Sequence, residues 1–292
     1  MASSIAFFEA TADGLFTPTQ FSRSLWAPGT LNGPAVCAIA ARDVELEFSR
    51  PGFRPARFTI DLFKAARQAP TATRSRLVRD GRRISVAETE VVQYPGDRGG
   101  DADAEIVVAR ATTVFLQESQ SPPGERWSRP EEESTFHPPT AAPDDLMPWF
   151  SVDDPDRDPD APAWNQDMGS NQTPHRKRLW TRSAPPVVGE ELTPFQRAVT
   201  SAESTSLVSN WGSTGIGFIN CDLTVALSRL PGGERVGIET DTHIEDDGIS
   251  VSTATLYDVQ GPFGTGIVTA VNNSAAQIDF TTADTTGRYK EA

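Results

Sequence analysis

Cysteine is nearly absent from this sequence: Cys37 and Cys221 are the only two in 292 residues. Two distant thiols build no disulfide framework and fit no zinc-ligand spacing. Histidine is almost as scarce. His137, His175 and His243 are the only three, and none stands at metal-ligand spacing from another histidine or a cysteine, so no metal and no cofactor are expected. Basic charge is also short. The 26 Lys and Arg against 40 Asp and Glu leave a net charge of −14, the wrong sign for a chain whose main partner is nucleic acid or an anionic membrane. No apolar run reaches the roughly 18 residues that a membrane helix needs. Met1 to Ala10 has no basic segment followed by an apolar stretch, so it does not read as a secretory leader. The expectation is a soluble, cytoplasmic protein without membrane insertion. No Gly-x-Ser-x-Gly occurs, which removes the usual serine-nucleophile elbow. Gly212 to Gly217 is glycine-rich, but it follows a helix and precedes a strand, the wrong order for a phosphate loop. It reads as a helix-ending turn. Hydrophobic residues make up 37%, low for a fully packed chain of this length.

What is present falls into two similar units. In the first, Pro34 to Phe48 places Val36, Ile39, Ala40, Val44 and Phe48 at helical spacing. Pro34 suits a first helical turn and Asn32 stands near the N-cap. Strand-like runs follow at Arg57–Lys64, Thr71–Arg79, Arg83–Gln93 and Glu105–Leu116, with Asp80-Gly81 as a hairpin turn. In the second, Thr193-Pro194 opens a long helical stripe through Leu192–Trp211. Strands are then expected at 218–229, 235–245, 249–258 and 262–272, with Asp246-Asp247-Gly248 as the hairpin turn. Between the units, 118–165 is rich in Pro, Asp, Glu and Ser, including Glu131-Glu132-Glu133. Such a segment buries too little apolar area to offset chain entropy, although Met147–Phe150 forms an apolar island fit to dock. The expected organisation is an N-terminal domain over 1–117, an acidic Pro-rich linker over 118–165, a C-terminal domain over 166–274 and a polar tail over 275–292.

The two units repeat each other. Thr59-Ile60-x-Leu62 matches Thr224-Val225-x-Leu227, and Ile84-Ser85-Val86 matches Ile249-Ser250-Val251, both at a separation of 165 residues. Equal spacing, equal order and a shared turn favour duplication over chance likeness. One helix covering the apolar face of one antiparallel sheet is an α+β unit, and two such units can pair edge strands and so remove exposed edges. Further self-association is expected on the same grounds, giving a homo-oligomer.

The second unit carries Phe218-Ile-Asn-Cys-Asp-Leu-Thr-Val-Ala-Leu-Ser-Arg229, Glu234-Arg-Val-Gly-Ile-Glu-Thr-Asp-Thr242 and Leu256-Tyr-Asp-x-x-Gly-Pro-x-Gly264. The first carries Trp26-x-Pro-x-x-x-Asn32-Gly33-Pro34. In these stretches the chain resembles the acyl-CoA thioesterase II family, of actinobacterial type. The resemblance implies a double hotdog fold, two curled antiparallel sheets each around one long helix. It also implies hydrolysis of acyl-CoA to free acid and coenzyme A by a carboxylate-positioned water. By that likeness the aspartate falls on Asp222 and the hydroxyl on Thr242. The family's glutamine falls at Val268 or Thr269, neither an amide, so Thr269 is the candidate third member. The departure leaves a catalytically inactive acyl-CoA- or lipid-binding homologue as the alternative. Asn32 and Gly33, at the start of the first helix, are candidate substrate contacts.

Asp222 stands in an apolar, β-branched run, where a carboxylate is costly unless paired or used. It reads either as the water-orienting group or as a strand-mouth aspartate accepting backbone N–H groups. His175 to Arg182 is the one dense basic cluster. Arg176 and Arg178 are candidates for the coenzyme A phosphates, with Trp180 as a stacking surface, against the alternative of a solvated segment balancing the acidic linker.

Overall fold

A computed structural model describes residues 5–94, 96, 105–130, 135–140, 142, 145–158 and 160–283. Two short strands, β1 (Phe8–Ala10) and β2 (Phe16–Pro18), lead into α1 (Gly33–Phe48), then β3 (Phe53–Leu62), β4 (Thr71–Asp80), β5 (Ile84–Gln93) and β6 (Ile106–Gln117). A crossing segment contributes β7 (Trp149–Val152) and β8 (Lys177–Arg182). The second half holds α2 (Pro194–Ala202), α3 (Thr205–Asn210), the small hairpin β9 (Trp211–Gly212) and β10 (Gly215–Ile216), and β11 (Phe218–Asn220). It closes with β12 (Asp222–Leu227), β13 (Arg235–Asp246), β14 (Ile249–Asp258) and β15 (Gly261–Asn272). Among the described residues no helix is long and apolar enough to cross a membrane.

One thirteen-stranded sheet runs through both halves, in the order β1-β2-β4-β5-β6-β3-β12-β15-β14-β13-β8-β7, with β11 beside β15. The two halves mirror each other about the β3–β12 seam. That seam is antiparallel, and Thr59 lies directly opposite Thr224. Their hydroxyls meet at 3.1 Å. These are the two residues that the sequence repeat makes equivalent, so the pseudo-twofold axis passes between them. The edge pairing expected of two such units occurs here within one chain.

α1 packs against β4 and β5, and α3 against β13 and β14. Asn32 caps α1, its side chain accepting the Ala35 N–H at 2.9 Å, a contact worth about 1 kcal/mol. The Asn32 amide also donates to the Phe21 carbonyl at 2.9 Å, tying the cap to the N-terminal arm. Val36, Ile39, Ala40 and Val44 are buried as their spacing predicts, and burial of Ile39 alone is worth about 1.5–3 kcal/mol. The second helix departs from expectation. Instead of one long helix, α2 ends at Ala202 and α3 begins at Thr205. Ser201, Ser204, Thr205 and Ser206 crowd the break, and such residues hydrogen-bond backbone in competition with the helix. The Ser204 N–H bonds back to Ser201 in a tightened turn, and Thr205 packs so closely that a Cβ on Gly266 would overlap its hydroxyl. The glycine-rich stretch after it is the β9–β10 hairpin rather than a simple turn.

Parts of the acidic linker pack against the sheet. Its island docks as β7 against β8, with Phe150 opposite Leu179. Phe136 stacks on Tyr257, ring centroids 4.5 Å apart, against a sheet surface left clear by Gly237. Glu131 to Glu133 lies outside the described residues. The basic cluster is not a solvated segment: Lys177 to Trp180 is buried in the sheet. Burial pulls the Lys177 ammonium down to about 8, and it donates to the Thr173 carbonyl at 2.6 Å. Its folded value lies below the unfolded 10.5, so the folded protein binds fewer protons between the two. Stability linked to Lys177 is therefore lost as pH falls through about 8 and gained as pH rises toward 10.5. Melting temperature measured from pH 7 to 9.5 should rise in the native protein relative to Lys177→Met; parallel curves would contradict it.

Candidate active site

A cavity of about 200 Å³ opens between the two halves. One wall is the start of α1, with Asn32, Gly33 and Pro34; facing it are Glu203, Ser204 and Ser206 at the α2–α3 break, and Asn220 at the end of β11. Glu203 is 9% exposed and is the carboxylate of this cavity. It lies hard against the α1 start: a Cβ placed on Gly33 would overlap its Oε1. A side chain at this position would have to push the carboxylate aside. The Asn220 amide donates to Glu203 Oε1 at 3.3 Å and so holds its orientation. At the α1 start the Asn32 N–H is taken by the Ser22 carbonyl and the Ala35 N–H by the Asn32 side chain, and Pro34 has none, so the Gly33 N–H, at the positive end of the helix dipole, is the donor this wall can offer to developing negative charge.

Cys37 stands one helical turn beyond Gly33 and is fully buried. Burial, and then the Glu203 charge, push its thiol well up. The thiolate that a nucleophilic cysteine needs is thus disfavoured at neutral pH. Among the described residues no three His, Cys, Asp or Glu side chains come together in a way that could hold a metal ion.

The structure separates the candidates drawn from the sequence. Asn32 and Gly33 line the cavity. Asp222 and Thr269 meet on neighbouring strands, where Asp222 Oδ1 accepts the Thr269 N–H at 2.6 Å. That is the strand-mouth arrangement, a carboxylate clamping β15 beside the break at Cys221. Neither residue is among those lining the cavity. Thr242 does not join them. It is exposed, and its hydroxyl bonds Thr253 at 2.8 Å on β14. Val268 points into the core.

Arg176 and Arg178 are engaged with carboxylates rather than open to a phosphate. Arg178 Nε donates to Glu239 at 2.6 Å and its other nitrogens to Asp153. It borders a second, more open hollow together with Asp153 and Asp158. Arg176 lies within 3.4 Å of Glu239 and 3.8 Å of Asp241. Glu239 is fully buried and also accepts from Thr135 at 2.6 Å and Tyr257 at 3.2 Å. Burial, and then the Glu239 charge, push the Tyr257 phenol up to about 12. Trp180 belongs to the Phe136 and Tyr257 cluster, with no free face for stacking a base.

Glu203 escaped the sequence reading, although a signal existed. Between Arg197 and Asp222 it is the one charged residue, and an isolated carboxylate in a long uncharged stretch marks a position where charge is used.

The start of the other helix also meets a carboxylate. There the start of α2 faces Glu45, whose carboxylate accepts from Thr193 at 2.6 Å and Gln196 at 2.9 Å. That half-site is closed by its own side chains.

Family models match both halves: "Acyl-CoA thioesterase N-terminal domain" over residues 22–116 and "Acyl-CoA thioesterase C-terminal domain" over 117–270. Similar solved structures include a hot-dog-fold protein of unknown function from Alicyclobacillus acidocaldarius, 15% identical, covering 89% of this chain and 91% of that one, TM-score 0.59. The tesB protein from Mycobacterium avium subs paratuberculosis is 12% identical, with coverages of 91% and 95% and a TM-score of 0.56. Acyl-CoA thioesterase II TesB2 from Mycobacterium marinum is also 12% identical, with coverages of 91% and 94% and a TM-score of 0.56. No curated protein matches the chain by sequence. The likeness to these structures shows the hotdog fold.

Proposed function

We propose, from the premise that the chain belongs to the acyl-CoA thioesterase family, that it hydrolyses acyl-CoA to free acid and coenzyme A in the cavity between its halves. The observation that carries this reading is the contact between Glu203 and Gly33: a carboxylate held against a helix start, at a cavity wall made by both halves. The thioester carbonyl would lie with its oxygen toward the Gly33 N–H at the α1 start. Glu203 would orient a water and take its proton as the water oxygen bonds to the carbonyl carbon. The oxyanion formed at the carbonyl would be stabilised by the helix start. Collapse breaks the C–S bond, the thiolate leaves, and the proton held on Glu203 passes to it.

This proposal gives Glu203 the role that the sequence assigned to Asp222, and Asn220 the orienting role assigned to Thr242. Asp222 and Thr269 then hold β15 beside the turn that presents Asn220. Gly33→Ala tests the arrangement without touching a polar group. Its methyl must displace the Glu203 carboxylate, and a misplacement of about 1 Å costs on the order of 10²-fold in rate. The expected result is such a loss in kcat, read by thiol release, with little change in stability, because the tip of a flexible side chain is what gives way. Unchanged kcat would remove Glu203 from the reaction.

A further inference from the structure

The cavity wall away from Glu203 is built from chain outside the repeated units. Phe7 and Phe21 come from the N-terminal arm, Leu146 and Phe150 from the crossing segment, and Ile278 and Phe280 from the C-terminal strap. None has an equivalent in a bare helix-and-sheet unit, so these additions set the shape of the space and not merely its existence.

The wall is fixed. Phe150 and Phe280 both pack on the buried Trp211, with ring centroids at 5.3 and 4.8 Å in edge-to-face geometry. Ile278 exchanges two backbone hydrogen bonds with Ile216, at 2.9 and 3.1 Å. The Phe280 N–H donates to the Gln172 side chain at 2.9 Å. Gly215 lies so close under the strap that a Cβ there would overlap the Ile278 carbonyl. Opening a channel past Phe280 means breaking aromatic pairs and backbone bonds together.

The space is small. A closed apolar cavity of about 150 Å³ holds one benzene molecule; this one measures about 200 Å³, is open on one side, and adds Glu203, Arg182 and Asn220 to its apolar lining. We propose that the cavity accepts a compact acyl group of about six to eight carbons, and that Phe150 and Phe280 exclude long chains. The inference rests on the thioesterase reading for the identity of the ligand as an acyl thioester. Aromatic and linear acyl groups of this size share the same chemistry, and comparison of the two shows which shape the ring-lined wall prefers.

The test uses the full chain and two readouts. Thiol release is measured with octanoyl-CoA, phenylacetyl-CoA and palmitoyl-CoA. Binding is measured by calorimetry with the non-hydrolysable thioethers S-octyl-CoA and S-hexadecyl-CoA. The expected result is kcat/KM at least about 10²-fold higher for one of the compact substrates than for palmitoyl-CoA, and S-octyl-CoA bound at least about tenfold tighter than S-hexadecyl-CoA. Phe280→Ala, with the milder Phe280→Leu in case the first fails to fold, should narrow both ratios by about tenfold. Equal or better use of the long chain by the native protein overturns the proposal, as does the absence of binding to either thioether. Size-selective binding without thiol release would leave this inference standing and overturn the hydrolytic function instead.

Discussion

Glu203→Gln is expected to lower kcat for acyl-CoA hydrolysis by about 10²–10⁴-fold, the range lost when a positioned general base is removed. Gln keeps the shape of the side chain and its place against Gly33 but cannot take a proton from water. KM should change little, because the group acts on the water and not on the acyl chain. The melting temperature should hold, since a neutral amide at this depth is cheaper to bury than a carboxylate. The companion variant is Asp222→Asn. Its side-chain oxygen can still accept the Thr269 N–H that Asp222 Oδ1 accepts at 2.6 Å, so activity should remain within about tenfold of native. The reverse pattern, with Asp222→Asn inactive and Glu203→Gln active, would move the chemistry out of the cavity and return it to the strand that the sequence resemblance first indicated.

Glu239→Ala should cost about 3–5 kcal/mol of folding stability, the usual consequence of removing one member of a buried charged set. Glu239 is wholly buried and receives Arg178, Thr135 and Tyr257. Its loss leaves Arg178, itself 6% exposed, with Asp153 alone, and strands the Tyr257 hydroxyl. The linker residue Thr135 loses its anchor as well, so Phe136 should loosen from Tyr257. Urea denaturation reads the stability, and Trp180 fluorescence reads the loosening. A loss under about 1 kcal/mol would mean that solvent reaches this set and screens it.

The fold was largely legible because its information is local or repeated. Asn32-Gly33-Pro34 spelled a helix start, Asp80-Gly81 and Asp247-Gly248 spelled hairpins, and each lies where the structure turns. The 165-residue repeat even located the axis, since Thr59 and Thr224 face each other on it. What the sequence hid depends on partners far along the chain. The cluster from His175 to Arg182 looked solvated because its counter-charges, Glu239 and Asp153, lie 61 and 25 residues from Arg178. The break between Ala202 and Thr205 was invisible to helical periodicity, which continues across it. Of the proposed site, the sequence singled out Gly33 with its motif, while Glu203 beside it drew no notice. Asp222 drew attention because a charge interrupts a β-branched run, yet strand-mouth clamping satisfies the same pattern.

The seam at Thr59 and Thr224 joins by backbone pairing two halves that are covalently one molecule. A site assembled from separate subunits would come apart on dilution. Here the opposing walls travel together, each confronting the other at an effective concentration set by the tether and not by the amount of protein in solution. The same tether lets the two helix starts differ: that of α1 lines the cavity, while that of α2 is held by Glu45 through hydroxyl and amide.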